Sequence, residues 1–138
     1  MKRIYRKKVM FVCLGNACRS PMAEAIARRI GDGVFEASSA GLTPLGHVEE
    51  MTKQTLLKNG YAAEGLTSKP IEKWELDSAD LVVNMSGRTW DVVFDGLAAV
   101  EHWQVEDPYG ADAEIYQRIF EDIEKKVAKL ADRLRDAG

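Results

Sequence analysis

Lys8-Val9-Met10-Phe11-Val12-Cys13 followed by Leu14-Gly15-Asn16-Ala17-Cys18-Arg19-Ser20-Pro21 is the stretch on which the reading of the whole chain turns. Its first half is an apolar run with β-branched and aromatic members and no polar alternation. That pattern predicts a strand buried on both faces, as in a parallel sheet. Its second half is a short turn with a glycine, and Pro21 then marks a helix start, because proline is tolerated in a first helical turn. Met22, Ile26 and Ile30 recur every four residues and give that helix one apolar face, which Gly31-Asp32-Gly33 terminates. The unit is therefore strand, tight loop, helix.

The same units repeat outward. Val34–Ala40 reads as a second strand, Gly41–Gly46 as a loop, Val48–Asn59 as a helix ended by Gly60, and Pro70–Leu76 as a short helix. Ala79–Met85 is a strongly apolar strand, Arg88–Phe94 a helix and Leu97–Glu101 a fourth strand. Ile115, Ile119, Ile123, Val127, Leu130 and Leu134 then form the apolar stripe of a long final helix with Asp112 as N-cap. Strands alternating with helices imply right-handed crossovers and an α/β fold: one four-stranded parallel sheet with helices on both faces. The expectation is a single domain over residues 1–138, with 1–7 a basic flanking segment. In such folds ligands sit beyond the carboxyl ends of the strands, where the first loop lies.

Composition narrows the function classes. The chain has 138 residues, 46% of them apolar and 30% charged, with a net charge of −3. That balance makes no global case for nucleic acid or membrane binding. No apolar stretch approaches the roughly 20 residues needed to span a bilayer. The basic start is followed by too short an apolar run, and no small-residue cleavage site, for a signal peptide. Two cysteines do not make a disulfide scaffold, so a reducing, cytoplasmic location is expected.

The first loop carries the chemistry. Backbone N–H groups of Leu14, Gly15, Asn16, Ala17 and Cys18, in a tight turn entering a helix, can converge on an anion, and the helix end adds positive partial charge. The same field favours a thiolate at Cys13, the form that acts as nucleophile. Gly15 permits unusual backbone angles. Asn16 can hydrogen-bond across the loop and hold its curl. Arg19 supplies a planar fork matched to two phosphate oxygens. Ser20 can donate a hydrogen bond to the thiolate. A Walker loop is excluded because no Gly-x-x-x-x-Gly-Lys occurs. Cys13 and Cys18 lack a second ligand pair for zinc, and His47 and His102 lie far off in sequence, so neither metal nor cofactor is expected.

On these residues, Val12 to Pro21, the chain resembles the low-molecular-weight protein tyrosine phosphatases, a superfamily that includes a branch of arsenate reductases. The likeness continues into Met22-Ala23-Glu24 and Ser39-Ala40-Gly41. It implies a late Asp-Pro followed by an aromatic residue, found here as Asp107-Pro108-Tyr109. In that role Asp107 is the general acid and base. It protonates the leaving oxygen after Cys13 attacks phosphorus, then takes a proton from the hydrolytic water. Pro108 stiffens the loop and Tyr109 can stack on an aromatic substrate ring. The resemblance further implies a phosphocysteine intermediate without a metal. It also implies a protective Cys13–Cys18 disulfide on oxidation; a small space-filling thiol is the other reading of Cys18. Phosphorylated proteins, small aryl phosphates and phosphate or a similar oxyanion are the expected ligands, and a monomer or weak dimer the expected state.

Three positions depart from the family pattern. Ala17 replaces a branched residue, or the threonine of phosphoarginine-specific relatives. Leu66 replaces a histidine that supports the loop asparagine, which leaves Asn16 without that support. Gly41–His47 is short and lacks an aromatic wall residue, so Leu45 and His47 become the rim candidates. A protein tyrosine phosphatase is the first expectation; the alternatives are a phosphoarginine phosphatase and an arsenate reductase. The cysteines that serve thioredoxin-coupled reduction usually appear in the region of Asn84-Met85-Ser86-Gly87-Arg88, which has none, so reduction needs an external small thiol, or Cys18 as an improvised partner.

Overall fold

Strand β1 (Lys7–Cys13) runs through the centre of the computed structural model, which describes residues 6–137. It pairs in parallel with β2 (Phe35–Gly41) on one side and β3 (Leu81–Asn84) on the other; β4 (Val100–His102) adds to β3, giving the order β2-β1-β3-β4. All pairings are parallel, so the architecture is the expected four-stranded α/β domain. Helices α1 (Arg19–Ile30), α2 (Glu50–Lys58), α3 (Lys73–Ser78) and α4 (Ala113–Ala137) make the layers.

Alternation along β1 divides the core into two. Val9, Phe11 and Cys13 join the larger cluster with Met22, Ile26, Tyr116, Ile123 and Val127, under α1 and α4. Met10 and Val12 point the other way, towards Leu76, Val82 and Phe94. Both faces are therefore covered, which is why the strand carries no polar alternation. Phe11 is fully buried and packs against Trp103, ring centroids 5.9 Å apart. Trp103 is thus a partly buried residue packed against the larger core cluster.

Some boundaries differ from expectation. Lys7 already pairs with Phe35, so the strand begins inside the expected basic flank; the part of that flank in residues 1–5 lies outside the described residues. The short helix α3 starts at Lys73, three residues later than Pro70, because Pro70 is held in a bridge to Gly41. The helix expected over Arg88–Phe94 reduces to a single 3-10 turn, Val92–Phe94. Gly87 at φ +83° and Gly96 at φ +75° frame the segment. Asp91 extends and caps Val93 N–H, and two adjacent β-branched valines disfavour more helix. Asp112 caps α4 as expected, its Oδ1 accepting from Ile115 N–H at 3.0 Å.

Candidate active site

The loop from Cys13 to Arg19 is shaped by where its carbonyl groups go. The carbonyl of Cys13 accepts from Leu42 N–H, that of Leu14 from Thr43 N–H, and that of Gly15 from Leu45 N–H and the Ser68 hydroxyl. The Ala17 carbonyl accepts from Glu49 N–H and the Thr52 hydroxyl, and that of Cys18 from Met22 N–H. Neighbouring segments thus draw the carbonyls outward. Among the described residues, no N–H from Leu14 to Arg19 donates to a protein acceptor. A loop with outward carbonyls and free amides is an anion nest, closed here by the first turn of α1.

Asn16 is the pivot. It stands at φ +48°, a left-handed conformation that asparagine tolerates, and is fully buried. Its Nδ2 donates to Ser20 Oγ at 2.7 Å and to Ser39 Oγ at 3.0 Å; its Oδ1 accepts from Lys69 N–H at 2.9 Å. Ser39 in turn donates to Glu24 Oε1 at 2.5 Å, and Glu24 pairs with Arg28. Leu66 therefore does not leave Asn16 unsupported: Ser39, backed by Glu24, and the Lys69 backbone hold it. Gly41 completes the fit. A Cβ there would lie 2.9 Å from both Asn16 Cβ and the Leu14 carbonyl oxygen, so only glycine lets β2 pass this close.

This scaffold aims protons at Cys13. Its Sγ lies 2.9 Å from Ser20 Oγ and 3.4 Å from Ser20 N. Ser20 Oγ already accepts from Asn16, so its own proton is available to the sulfur. Arg19 is buried; its Nη1 donates to the carbonyls of Met85 (2.6 Å) and Val105 (3.2 Å), which clamp the guanidinium between the ends of β3 and β4. Arg19 Nη2 lies 3.5 Å from Asp107 Oδ2. Asp107 Oδ1 accepts from Tyr109 N–H at 3.1 Å, and Gly110 at φ +79° closes the turn through Ala111 N–H on the Pro108 carbonyl. Glu106, bridged to Arg118 of α4, ties this loop to the longest helix.

Cys13, Arg19 and Asp107 face one cavity of about 290 Å³, walled by Leu14, Gly15, Ala17, Cys18, Leu45 and Tyr109. Asn16 and Ser20 stand behind the wall, buried, as supports. His47 does not line the cavity; its ring is exposed and bonded to Glu49 at 3.1 Å. Cys18 Sγ sits 3.2 Å from Tyr116 Oη, and burial pushes its thiol up, so it is a neutral thiol at ordinary pH. Two cavity residues escaped the sequence reading, Thr43 and Arg88. The signal for Arg88 was its place just beyond the carboxyl end of β3. Among the described residues, no group of three or more His, Cys, Asp or Glu side chains could hold a metal ion, and no helix is long and apolar enough to cross a membrane.

Residues 8–137 match the family model described as low molecular weight phosphotyrosine protein phosphatase. The chain is 33% identical to a glutaredoxin arsenate reductase of Synechocystis sp., over 90% of this chain and 95% of that protein. It is 34% identical to a protein-arginine-phosphatase of Bacillus subtilis, over 92% and 96%. Its fold is similar to a solved arsenate reductase in the phosphate binding state, with TM-score 0.84, 32% identity and 93% and 98% of the two chains covered.

Proposed function

We propose that this chain, which belongs to the low molecular weight phosphotyrosine protein phosphatase family, hydrolyses phosphotyrosine in proteins through a phosphocysteine on Cys13. The observation that carries this reading is the convergence of Cys13, Arg19 and Asp107 on one cavity beneath a nest of free amides. The phosphoryl oxygens take the loop amides and the Arg19 fork. The Cys13 sulfur, held as thiolate by Ser20 O–H and N–H, attacks phosphorus opposite the ester oxygen. The S–P bond forms, the P–O bond breaks, and Asp107 gives its proton to the departing phenolate. Water then yields a proton to Asp107 and attacks phosphorus; the S–P bond breaks, releasing phosphate and the thiolate. Leu45 and Tyr109 offer apolar walls to an aryl ring.

The test is hydrolysis of p-nitrophenyl phosphate and phosphotyrosine peptides. Cys13→Ser is expected to lose turnover. Asp107→Ala is expected to fall by about 10²- to 10⁴-fold, most for poor leaving groups. Full activity of Cys13→Ser would remove the nucleophile assignment.

A second reading has its own support, since Cys18 shares the cavity with Cys13 and a relative is named an arsenate reductase. There, arsenate joins Cys13 with loss of water, and a small external thiol attacks that sulfur. Two electrons pass to arsenic as a disulfide forms and arsenite leaves. Arsenate-dependent thiol consumption with negligible aryl phosphate turnover would favour it. Phosphoarginine peptides in the same panel test the third activity, which Ala17 leaves open.

A further inference from the structure

Arg88 is a cation at the cavity that the reaction above does not use. It lines the same pocket as Cys13, Arg19 and Asp107 and is exposed to solvent. Among the described residues its guanidinium has no hydrogen-bond or ion-pair partner, whereas Arg19 donates through Nη1 to two carbonyls and pairs through Nη2 with Asp107, its Nε being without a protein partner.

The backbone that presents Arg88 is built rather than loose. Asn84, buried at the end of β3, accepts from Ser86 N–H (2.9 Å) and Ser86 O–H (2.6 Å) on Oδ1. Ser86 Oγ accepts from Arg88 N–H at 3.0 Å, and Asn84 Nδ2 reaches the Arg88 carbonyl at 3.5 Å. The same turn supplies the Met85 carbonyl that clamps Arg19. One turn therefore carries Arg88 and also anchors the guanidinium that Arg19 sends from α1, and both arginines line the cavity. The base already offers Arg19 and the amides to the phosphoryl group. A second, uncommitted guanidinium matches a further negative group on the substrate and opposes a positive one.

We infer that Arg88 is a specificity-determining residue that recognises a carboxylate flanking the phosphorylated side chain, so that acidic phosphopeptides are the preferred substrates. This rests on the phosphatase reading and deepens it.

The experiment compares kcat/KM on phosphotyrosine peptides identical except for Glu, Gln or Lys on both sides of the phosphotyrosine, using the full chain. The wild type is expected to prefer the Glu over the Gln peptide by about tenfold, and the Lys peptide least. In Arg88→Gln the Glu/Gln ratio falls to about one, in Arg88→Lys it is partly kept, and in Arg88→Glu the order inverts. Ratios within one variant cancel any loss of folded protein. Added salt lowers the wild-type ratio. Equal kcat/KM for the three peptides in the wild type, or an acidic preference that survives in Arg88→Gln, overturns the assignment. Fluorescence-anisotropy binding of the same peptides to Cys13→Ser, with and without Arg88→Gln, reads the preference without turnover. An acidic preference there, alongside an inactive wild type, would sink the hydrolase reading and keep Arg88; equal affinities would sink Arg88 alone.

Discussion

Ser20 shows how a single hydroxyl can be given a direction. It accepts from Asn16 at 2.7 Å, so its proton has one near acceptor, the Cys13 sulfur at 2.9 Å. A hydrogen bond to a charged group is worth about 1.5–3 kcal/mol, so Ser20→Ala is expected to lower kcat roughly 10- to 100-fold in steady-state assays. An unchanged kcat would show that the amides alone hold the thiolate. At this scale the sequence was informative wherever chemistry fixes spacing: Cys13, Arg19, Ser20 and Asp-Pro lie in short, ordered motifs. It was silent on Ser39 and Glu24 as the support for Asn16, because nothing in a linear string says that β2 and α1 converge behind the loop. His47 looked like a rim residue for the same reason; the fold turns it to solvent, where it meets Glu49.

Among the elements, the crossing of β2 past the first loop is the tightest join. A methyl group at position 41 would sit 2.9 Å from the Leu14 carbonyl oxygen and from Asn16 Cβ, so the loop must shift or the strand must leave it. Gly41→Ala is expected to destabilise by about 1–3 kcal/mol in denaturant titrations and to cost activity beyond that loss of folded protein. Strands β1 and β3 and the long helix α4 were legible because burial on both faces and a 3.6-residue stripe leave strong patterns. The segment after β3 was not. Its apolar residues suggested a helix, but Val92 is exposed and the glycines at 87 and 96 bend the chain into a loop. That loop is what carries Arg88 to the cavity.

On the scale of the whole molecule, α4 locks the layers through part-buried polar contacts as well as its apolar stripe. Tyr61, after α2, donates its hydroxyl proton to Glu124 of α4 at 2.6 Å. Burial and that hydrogen bond push the phenol from 10.0 up to about 12. The folded state thus favours the neutral phenol. Its contribution is fully present below about pH 10 and is lost as pH rises through about 12. Thermal unfolding followed by circular dichroism is expected to show a steeper alkaline fall for the wild type than for Tyr61→Phe; identical slopes would refute the coupling. The parallel sheet as a whole sets β1 so that its last residue, Cys13, opens onto the nest, and the account stands or falls on that sulfur. Rapid acid quench of Asp107→Ala with p-nitrophenyl phosphate, followed by peptide mass spectrometry, tests it most directly. The account predicts one phosphoryl group on the Cys13 peptide, absent from the Cys13→Ala/Asp107→Ala protein. Turnover without any adduct in the parent enzyme, or an adduct on another residue that persists when Cys13 is replaced, would contradict it.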